Sequence, residues 1–470
     1  MDTKPTYVRP NFPLVPETIK LSPFDQFAPR GYLPLLLFFK TKTNIPVEEL
    51  SLELKQGLAN TLDVMYFLAG YLEVENAAHN TLELHITGDA GVPFQVKNLR
   101  DVENRSLDFS ELERGYFPPS KLDASVLLLE HLPQQGLPCL TVQANFICGG
   151  LILGLNFHHS VVDGPGVAVL WKIWSRQTTA VSEGHIVSAS ETCTTKALER
   201  WPLFPVHGCR RRLCEFPGFT DVQMLQSSGS DNGVKAPGCS QSSGIPTITC
   251  WHIPKNKLLE LQEKAKPRSA NSPVGTENSV LSAFIWRHYT KARCPQHLDV
   301  KVALFTTCDA RSRLDPPLHP DYPGNAIVDC RALMSPVQLH SSDSDAIGQI
   351  SSAVMESISW WTPDNIGSLL CSMQAYPRVG DVIRSVHVEH NALQITNIST
   401  VPLYSSFWGK NLEYPRAIRP PWLPMIDGLV NISPRLRDGG LEIFISADDQ
   451  VTERLKQDAE FAEYIQYRCS

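Results

Sequence analysis

Two adjacent histidines and an aspartate are the residues of this chain best suited to acid–base chemistry at one site. His158 and His159 follow the apolar run 151–157, and Asp163 stands four residues after His159, directly before Gly164. An imidazole gains and loses a proton near neutral pH, so it suits a general acid or base. Adjacent residues at a strand end point to opposite sides. We therefore expect one imidazole at an active site, and a carboxylate that shapes the loop or orients a partner.

A buried hairpin and a helix are predicted on either side of these three residues. The runs 141–148 and 151–157 are strand-like, and Gly149-Gly150 joins them as a two-residue turn. The second run is apolar nearly throughout, which predicts a buried strand. Gly-Pro-Gly at 164–166 turns the chain into a helix-like segment over 167–174. The histidines would thus leave a core strand and enter a loop.

This stretch carries a family resemblance. His158-His159-Ser-Val-Val-Asp163-Gly164 resembles the His-His-x-x-x-Asp-Gly motif shared by BAHD-type acyl-CoA-dependent acyltransferases and the condensation domains of peptide synthetases. Residues 276–287 resemble the BAHD helix that opens the second half, and residues 308–326 resemble that family's Asp-x-Arg-x-Arg and Gly-Asn segments. The likeness runs from about Leu21 to the C-terminus. It is strongest to the fungal secondary-metabolism branch, of the trichothecene 3-O-acetyltransferase type.

The resemblance implies an α/β fold with two chloramphenicol-acetyltransferase-like domains and an active site in a channel between them. Strand and helix runs also alternate in both halves of the sequence, which by itself predicts two α/β domains. We assign residues 1–215 to an N-terminal domain, 216–246 to a flexible crossover and 247–470 to a C-terminal domain. The crossover is assigned because residues 226–245 are rich in Ser and Gly.

Hydrophobic periodicity predicts the main elements. Pro46 opens a helix in which Leu50, Leu54, Leu58 and Leu62 form one apolar stripe. The first 31 residues are rich in Pro and have few periodic apolar positions, so they are predicted to be irregular. Further helices are predicted over 255–264, 278–292, 346–361 and 450–464, and strands over 35–39, 82–86, 247–253, 302–307, 326–332, 393–398, 429–432 and 441–446.

Composition excludes several classes of function. The net charge is −7 and there is no long basic run, so we expect no nucleic-acid partner. No apolar stretch is long enough to span a bilayer, and the N-terminus lacks the apolar region of a signal peptide, so we expect a cytoplasmic protein without a membrane partner. The twelve cysteines form no Cys-x-x-Cys and read as reduced thiols. No fourth ligand is spaced with the histidines and Asp163, so no metal site is predicted.

The resemblance assigns roles to individual residues. His159 matches the family's catalytic histidine and is expected to act as general base. Asp163 matches the aspartate that turns away from substrate and pairs with an arginine, for which Arg311 is the best match. His158 is expected to be structural. The backbone amides of Gly164 and Gly166 are candidates for binding an oxygen or the pantetheine chain.

A second family segment, Asp-Phe-Gly-Trp-Gly near the C-terminus, is only partly present. This chain has Tyr404-Ser-Ser-Phe-Trp408-Gly409-Lys410, so the tryptophan and the following glycine fit, whereas the aspartate is replaced by serine or deleted. In the family this segment is mainly structural. Trp408 and Gly409 are therefore predicted to support the fold, and the departure affects the expected packing of the loop and the expected affinity for coenzyme A.

The resemblance implies acyl transfer, with acetyl as the default group, from acyl-CoA as co-substrate to a hydroxyl of a small secondary metabolite. No Gly-x-Ser-x-Gly elbow occurs, so we expect direct attack in a ternary complex rather than an acyl-serine intermediate. A monomer is expected. Two alternatives stay open. One is a condensation-type enzyme that forms an ester or amide from a carrier-protein-bound donor. The other is a non-catalytic binding relative, against which the intact His159 and Asp163 argue.

Overall fold

The computed structural model of the chain describes residues 4–41, 45–100, 107–129, 136–188, 195–205, 210–221, 245–266, 274–293, 301–376, 378–379, 382–385, 392–421 and 426–470. Most of the predicted crossover 216–246 lies outside these ranges. None of the helices within them has both the length and the apolar character needed to cross a bilayer. Eight cysteines fall within the described residues; all carry free thiols, and six of them are buried.

The strands of the described residues, numbered in chain order, are β1 Thr6–Val8, β2 Glu17–Lys20, β3 Tyr32–Lys40, β4 Tyr71–Asn76, β5 Thr81–Ile86, β6 Val92–Asn98, β7 Leu137–Pro138, β8 Leu140–Ile147, β9 Gly150–His158, β10 Phe219–Asp221, β11 Thr247–Ile253, β12 Val302–Asp309, β13 Ile327–Met334, β14 Val382–Arg384, β15 Leu393–Asn397, β16 Ala417–Arg419, β17 Leu429–Ile432, β18 Leu441–Ala447 and β19 Gln466–Cys469.

The α-helices are α1 Pro23–Phe27, α2 Val47–Leu62, α3 Phe109–Arg114, α4 Ala124–Leu127, α5 Gly164–Glu183, α6 Lys255–Lys264, α7 Glu277–Arg293, α8 Pro336–Leu339, α9 Ala346–Ser359, α10 Pro363–Gln374, α11 Asp449–Gln457 and α12 Ala459–Tyr464. Each predicted helix overlaps one or two of these, and the predicted helix over 255–264 matches α6 at both ends.

Two mixed sheets, each covered by helices, form two domains, as predicted. The first has the strand order β1-β6-β8-β9-β3-β16, and the second has the order β13-β12-β15-β17-β18-β11-β19. Strand β16 comes from late in the chain and pairs with β3, with Ile418 opposite Leu37. The second half of the chain therefore contributes an edge strand to the first sheet. The division at 1–215, 216–246 and 247–470 stays a prediction.

The hairpin that delivers the histidines lies at the centre of the first sheet. Every residue of β8 and β9 is buried, as the apolar pattern predicts. Ile147 pairs with Gly150, so the two-residue turn is Cys148-Gly149 rather than Gly149-Gly150. Gly149 has φ 73°, whereas Gly150 is already a strand residue that packs closely against the ring of Phe109. Gly149 thus allows the turn, and Gly150 allows the close contact with Phe109.

Several elements differ from the sequence prediction. The first 31 residues, predicted to be irregular, contain β1, β2 and α1. Helix α10 and strand β19 were not predicted. The helix predicted over 450–464 is two helices, because the Asp458 carboxylate accepts hydrogen bonds from the Glu460 and Phe461 amides and starts α12. Short edge strands such as β1, β2 and β19 depend on their tertiary partners more than on local propensity.

A buried ion pair joins the two halves on the side of β16. Arg419, 2% exposed, donates to Glu442 on β18, and it also donates to the carbonyls of Tyr116 and Phe117. Arg468 donates to the same Glu442 carboxylate. Burial raises the pKa of Glu442, but the two guanidinium groups lower it by more than burial raises it, so the net shift of this pKa is downward. The carboxylate is therefore charged and fully paired at neutral pH.

The stripe on α2 provides a stability test. Leu54 is fully buried, whereas Leu52 on the same helix is 67% exposed. We expect Leu54→Ala to lower the free energy of unfolding by about 2–5 kcal/mol, because it leaves a cavity in the core. The matched control Leu52→Ala is expected to change it by less than about 0.5 kcal/mol. Urea unfolding followed by circular dichroism would measure both, and equal shifts of the two midpoints would contradict the packing described.

Candidate active site

A cavity of about 240 Å³ opens between the two halves, and His159 lies in its wall. The loop after β9 and the start of α5 form one side, and residues of β12, β13 and β15 form the other. A third portion of the wall is apolar and comes mainly from α1, β10 and α10: Phe24, Phe27, Phe219, Leu369 and Met373. The site therefore depends on both halves of the chain.

The two histidines occupy different environments, as the strand geometry predicts. His158 ends β9 and is 1% exposed; its ring packs edge-on against Tyr32 at 5.1 Å, and its Nδ1 accepts from the Ser160 amide at 3.3 Å. His159 lines the cavity. Its amide donates to the Gly31 carbonyl at 2.8 Å, and its carbonyl accepts from Asn325 Nδ2 at 2.8 Å. His159 is thus held by its backbone from two directions.

Asp163 is the N-cap of α5 and is 1% exposed. Its Oδ1 accepts from the Gly166 amide at 2.8 Å and from Arg311 Nη2 at 2.7 Å, and its Oδ2 accepts from the Ala326 amide at 2.9 Å. One carboxylate therefore ties the start of α5 to the 3-10 turn at Arg311 and to the start of β13. Its contacts are thus three donors from the protein itself, and the predicted structural role of Asp163 agrees with them.

Arg311 completes this anchor. Besides Asp163, its guanidinium donates to the carbonyls of Tyr322 and Gly324 and to the Asp309 carboxylate, at 2.7 to 3.0 Å. Burial lowers the pKa of Arg311, but the two neighbouring carboxylates raise it well above its usual value. The group stays charged, and the loop between β12 and β13 is wrapped around it.

The glycines after Asp163 differ in their use. Gly164 lines the cavity at the first position of α5. Gly166 packs against the Pro323 carbonyl so closely that a side chain would overlap with it. Because the Gly166 amide donates to Asp163, that amide is used in the helix cap, and the expectation that it binds substrate is wrong. Close approach of the backbone is the reason for glycine at this position.

Trp408 and Gly409 pack against α5 away from its first turn, Trp408 against the middle of the helix and Gly409 against its last turn. Trp408 is fully buried, with its ring 5.3 to 5.6 Å from those of Phe39, Trp171 and Trp174. Gly409 has φ 90° and contacts Ser182, which lies roughly 27 Å along the helix axis from Gly164 at 1.5 Å per residue. Neither residue is among those that line the cavity.

The loop that lacks the family's aspartate is nevertheless closed. Ser405 Oγ donates to the Pro402 carbonyl at 2.8 Å, and the Phe407 carbonyl accepts from Thr179 of α5 at 2.9 Å. The Trp408 amide donates to the Glu413 carbonyl at 2.7 Å, and the Glu413 amide donates to the Gly409 carbonyl at 2.8 Å. Local backbone bonds and the buried indole thus hold this segment against α5 without a carboxylate.

Sequence reasoning missed two polar residues next to His159. Asp25 is fully buried in α1, and Asn325 is 4% exposed in the loop before β13. The spacing of Ser22 and Asp25 is that of a capping box, which could have revealed the helix start within the Pro-rich segment. The contact between Asp25 and Asn325 crosses 300 residues, and no local pattern predicts it.

The comparison with family models decides the classification. Residues 2–462 match the model described as the Transferase family, the family of BAHD acyltransferases. The chain belongs to this family. The mixed α/β fold with its two domains is structurally close to solved structures with the BAHD fold.

Individual relatives agree with this placement. The acyltransferase easC of Emericella nidulans is 28% identical, over 98% of this chain and 98% of its own. The eremophilane O-acetyltransferase prx11 of Penicillium rubens is 24% identical, over 96% of this chain and 98% of its own. The crystal structure of F. sporotrichioides TRI101, complexed with coenzyme A and T-2, superposes with a TM-score of 0.76 at 20% identity, over 96% of this chain and 99% of that one.

The family and these relatives make the protein an acyltransferase. Among the residues that the structure describes, no group of three or more His, Cys, Asp or Glu side chains could hold a metal ion. The predicted site residues His159, Asp163 and Gly164 line the cavity, and Arg311 contacts it through Asp163, whereas Trp408 and Gly409 do not line it. Their functional roles stay predictions.

The Asp163–Arg311 pair can be tested against an exposed pair on the same helix. Lys172 of α5 contacts Asp321 at 3.2 Å, with the lysine side chain 58% exposed. We expect Arg311→Met to cost about 3–5 kcal/mol of stability, because it leaves the Asp163 charge buried and unpaired. The control Lys172→Ala is expected to cost less than about 1 kcal/mol.

Denaturant unfolding of these two variants, of Asp163→Asn and of the double variant Asp163→Asn/Arg311→Met would measure these costs. The double variant is expected to lose less than the sum of its two single variants, since each single change removes the same interaction. Additive losses, or equal losses in Arg311→Met and Lys172→Ala, would contradict the central position of the buried pair.

Proposed function

We propose that the protein transfers an acyl group, acetyl by default, from acyl-CoA to a hydroxyl of a small secondary metabolite, with His159 as general base. The position of His159 in the wall of the cavity between the two halves is the observation that carries the proposal. The names of the relatives support the substrates: prx11 is an eremophilane O-acetyltransferase, and the TRI101 structure holds coenzyme A and T-2.

In the proposed reaction, the His159 imidazole takes the proton of the acceptor hydroxyl while the oxygen attacks the thioester carbonyl carbon. The new C–O bond gives a tetrahedral intermediate with a negative oxygen. Its collapse breaks the C–S bond, and the imidazolium returns the proton to the coenzyme A thiolate. The step needs no oxidant, metal or covalent enzyme intermediate, so atoms and charge balance within the three components.

Polar side chains of the second half face the same cavity and suit the tetrahedral intermediate. Gln394 and Thr396 lie two residues apart on β15, so they project from the same face of the sheet, and both line the cavity. Their amide and hydroxyl hydrogens are the kinds of donor that stabilise a developing oxyanion. The proposal assigns this role to the β15 face, opposite the base.

The apolar wall suits the acceptor. Phe27, 8% exposed, lies 6.3 Å from the ring of Phe219, and both rings line the cavity next to Leu369 and Met373. Such a surface buries the carbon skeleton of a terpenoid or polyketide, while the hydroxyl projects toward His159. Because a single chain provides both sides of the cavity, a monomer is sufficient for the reaction. A monomeric state and a cytoplasmic location stay predictions.

Acetyl-CoA turnover tests the proposal directly. Free thiol release would be measured with hydroxylated terpenoid, alkaloid and polyketide acceptors, and acetyl-CoA binding by calorimetry. We expect acceptor-dependent release, and we expect His159→Ala to lower kcat by about 10²–10⁴-fold, the usual contribution of a general base. The control His185→Ala removes a histidine just after α5 that is exposed and outside the cavity, and it is expected to keep wild-type turnover.

Other outcomes would select other functions. Undiminished release by His159→Ala would exclude this histidine as the base. A protein that neither binds nor consumes acetyl-CoA but does use an acyl group on a carrier protein would be a condensation-type enzyme. A protein that binds the acceptor and consumes neither donor would be a binding relative.

A further inference from the structure

We propose that Asp25 is a positioning residue for the base His159, acting through Asn325. The inference rests on the proposed function, and it concerns a buried carboxylate to which the family resemblance assigns no role. It starts from the way in which the backbone of His159 is held. Strand pairing of β9 with β3 ends at His158, opposite Tyr32, so His159 is the first residue beyond the sheet.

Two contacts replace the sheet at His159, and both involve the segment between Ser22 and Gly31. The His159 amide donates to the Gly31 carbonyl at 2.8 Å. The His159 carbonyl accepts from Asn325 Nδ2 at 2.8 Å, and the same nitrogen donates to Asp25 Oδ1 at 2.9 Å. One amide group thus uses both its hydrogens to tie the carbonyl of the base to the carboxylate of Asp25.

The orientation of the Asn325 amide is determined by its partners. Both neighbours, a carboxylate oxygen and a peptide carbonyl, can only accept, so the side-chain nitrogen must face them. The backbone amide of Asn325 donates to Asp25 Oδ1 as well, at 3.0 Å. Asp25 therefore holds the backbone and the side chain of Asn325 by one bond each, and rotation of the side chain would break its bonds to Asp25 and to the His159 carbonyl.

Asp25 in turn is fixed on its other side. Its Oδ2 accepts from the Ser22 amide at 3.0 Å and from Ser22 Oγ at 2.7 Å, and the Arg200 guanidinium lies 3.7 Å away. Asp25 and Ser22 are both fully buried. Burying a carboxylate is costly unless it is fully bonded and paired. A cap for the five-residue α1 alone would not need a buried charge that reaches a residue 300 positions away.

This network also connects the base to the wall of the cavity. Phe24 and Phe27, on either side of Asp25 in α1, line the cavity, as do Ala28 and Pro29 before Gly31. The segment that holds the His159 backbone is therefore the one that the acceptor is proposed to contact. A shift of this segment would move the imidazole relative to the acceptor hydroxyl.

Asp25→Asn is the sharpest change, because it keeps the volume and removes the charge. Whichever way its amide points, its nitrogen faces donors, either those of Ser22 or those of Asn325. We expect kcat to fall by about 10–100-fold, on the order of the loss that a misplacement of about 1 Å causes. The KM for acetyl-CoA is expected to stay within about twofold. Asn325→Ala removes the bridge but leaves the Ser22–Asp25 cap, and it is expected to give a similar kcat.

A matched control comes from a distant cap. Asp448, 7% exposed, is the N-cap of α11 and accepts from the Val451 amide, whereas Asp25 is the third residue of α1 and accepts from the amide of the N-cap Ser22. Both are buried carboxylates at a helix start, and Asp448 does not line the cavity. Asp448→Asn is expected to lose stability and keep wild-type kcat. The second readout is a double-variant cycle: in a His159→Ala background, Asp25→Asn is expected to cause no further fall in the residual rate, because its effect passes through the base. Thermal unfolding would verify that each variant is folded at the assay temperature.

The outcomes separate this inference from the proposed function. Wild-type kcat in folded Asp25→Asn or Asn325→Ala, together with an inactive His159→Ala, would overturn the positioning role alone. An equal fall in the presence and absence of His159 would overturn it as well, since Asp25 would then act elsewhere. If the Asp25→Asn variant does not fold, the kcat of Asn325→Ala tests the positioning role instead. Full turnover by His159→Ala would overturn both proposals.

Discussion

The buried carboxylate of Asp163 is the constraint on which the site depends. It caps α5, binds Arg311 and accepts from the Ala326 amide, so a single side chain joins the loop after β9 to the second half of the chain. An unpaired charge at this depth would cost several kcal/mol, so the two halves have one low-energy arrangement at this point. The cavity is a consequence of that arrangement, because its walls come from the two parts that this carboxylate connects.

Helix α5 connects the Asp163 cap to the core of the first domain. Its first turn is set by Asp163, and its middle and last turns pack against the segment that carries Trp408 and Gly409. The family's aspartate is missing from that segment, yet the indole is fully buried among three aromatic rings. Aromatic packing and backbone bonds hold the loop, which explains how the fold tolerates the substitution. The segment supports the site by fixing the helix and not by touching the cavity.

The side chain and the backbone of His159 make different contacts. The side chain reaches the cavity, while the backbone is held at its amide by Gly31 and at its carbonyl by Asn325. In the proposed reaction the imidazole takes a proton from a hydroxyl and gives it to a thiolate, and a backbone with little freedom favours both transfers, because effective concentration depends on orientation. Asp25 accepts from Asn325 and Asp163 accepts from Ala326, so the two buried carboxylates hold neighbouring residues of the loop before β13.

The sequence by itself determined the class of fold, the hairpin, the helix with its leucine stripe and three residues of the cavity wall, His159, Asp163 and Gly164. These depend on local information: apolar periodicity, the strand that ends at His158, and a motif of seven residues. Tertiary structure alone decided which distant groups meet them. The contacts of Asp25 with Asn325 and of β16 with β3 join positions hundreds of residues apart. Burial strengthens such pairings, but no periodic pattern in the sequence indicates them. A single polar residue in a Pro-rich segment has the same local sequence whether its side chain is solvated or fully paired.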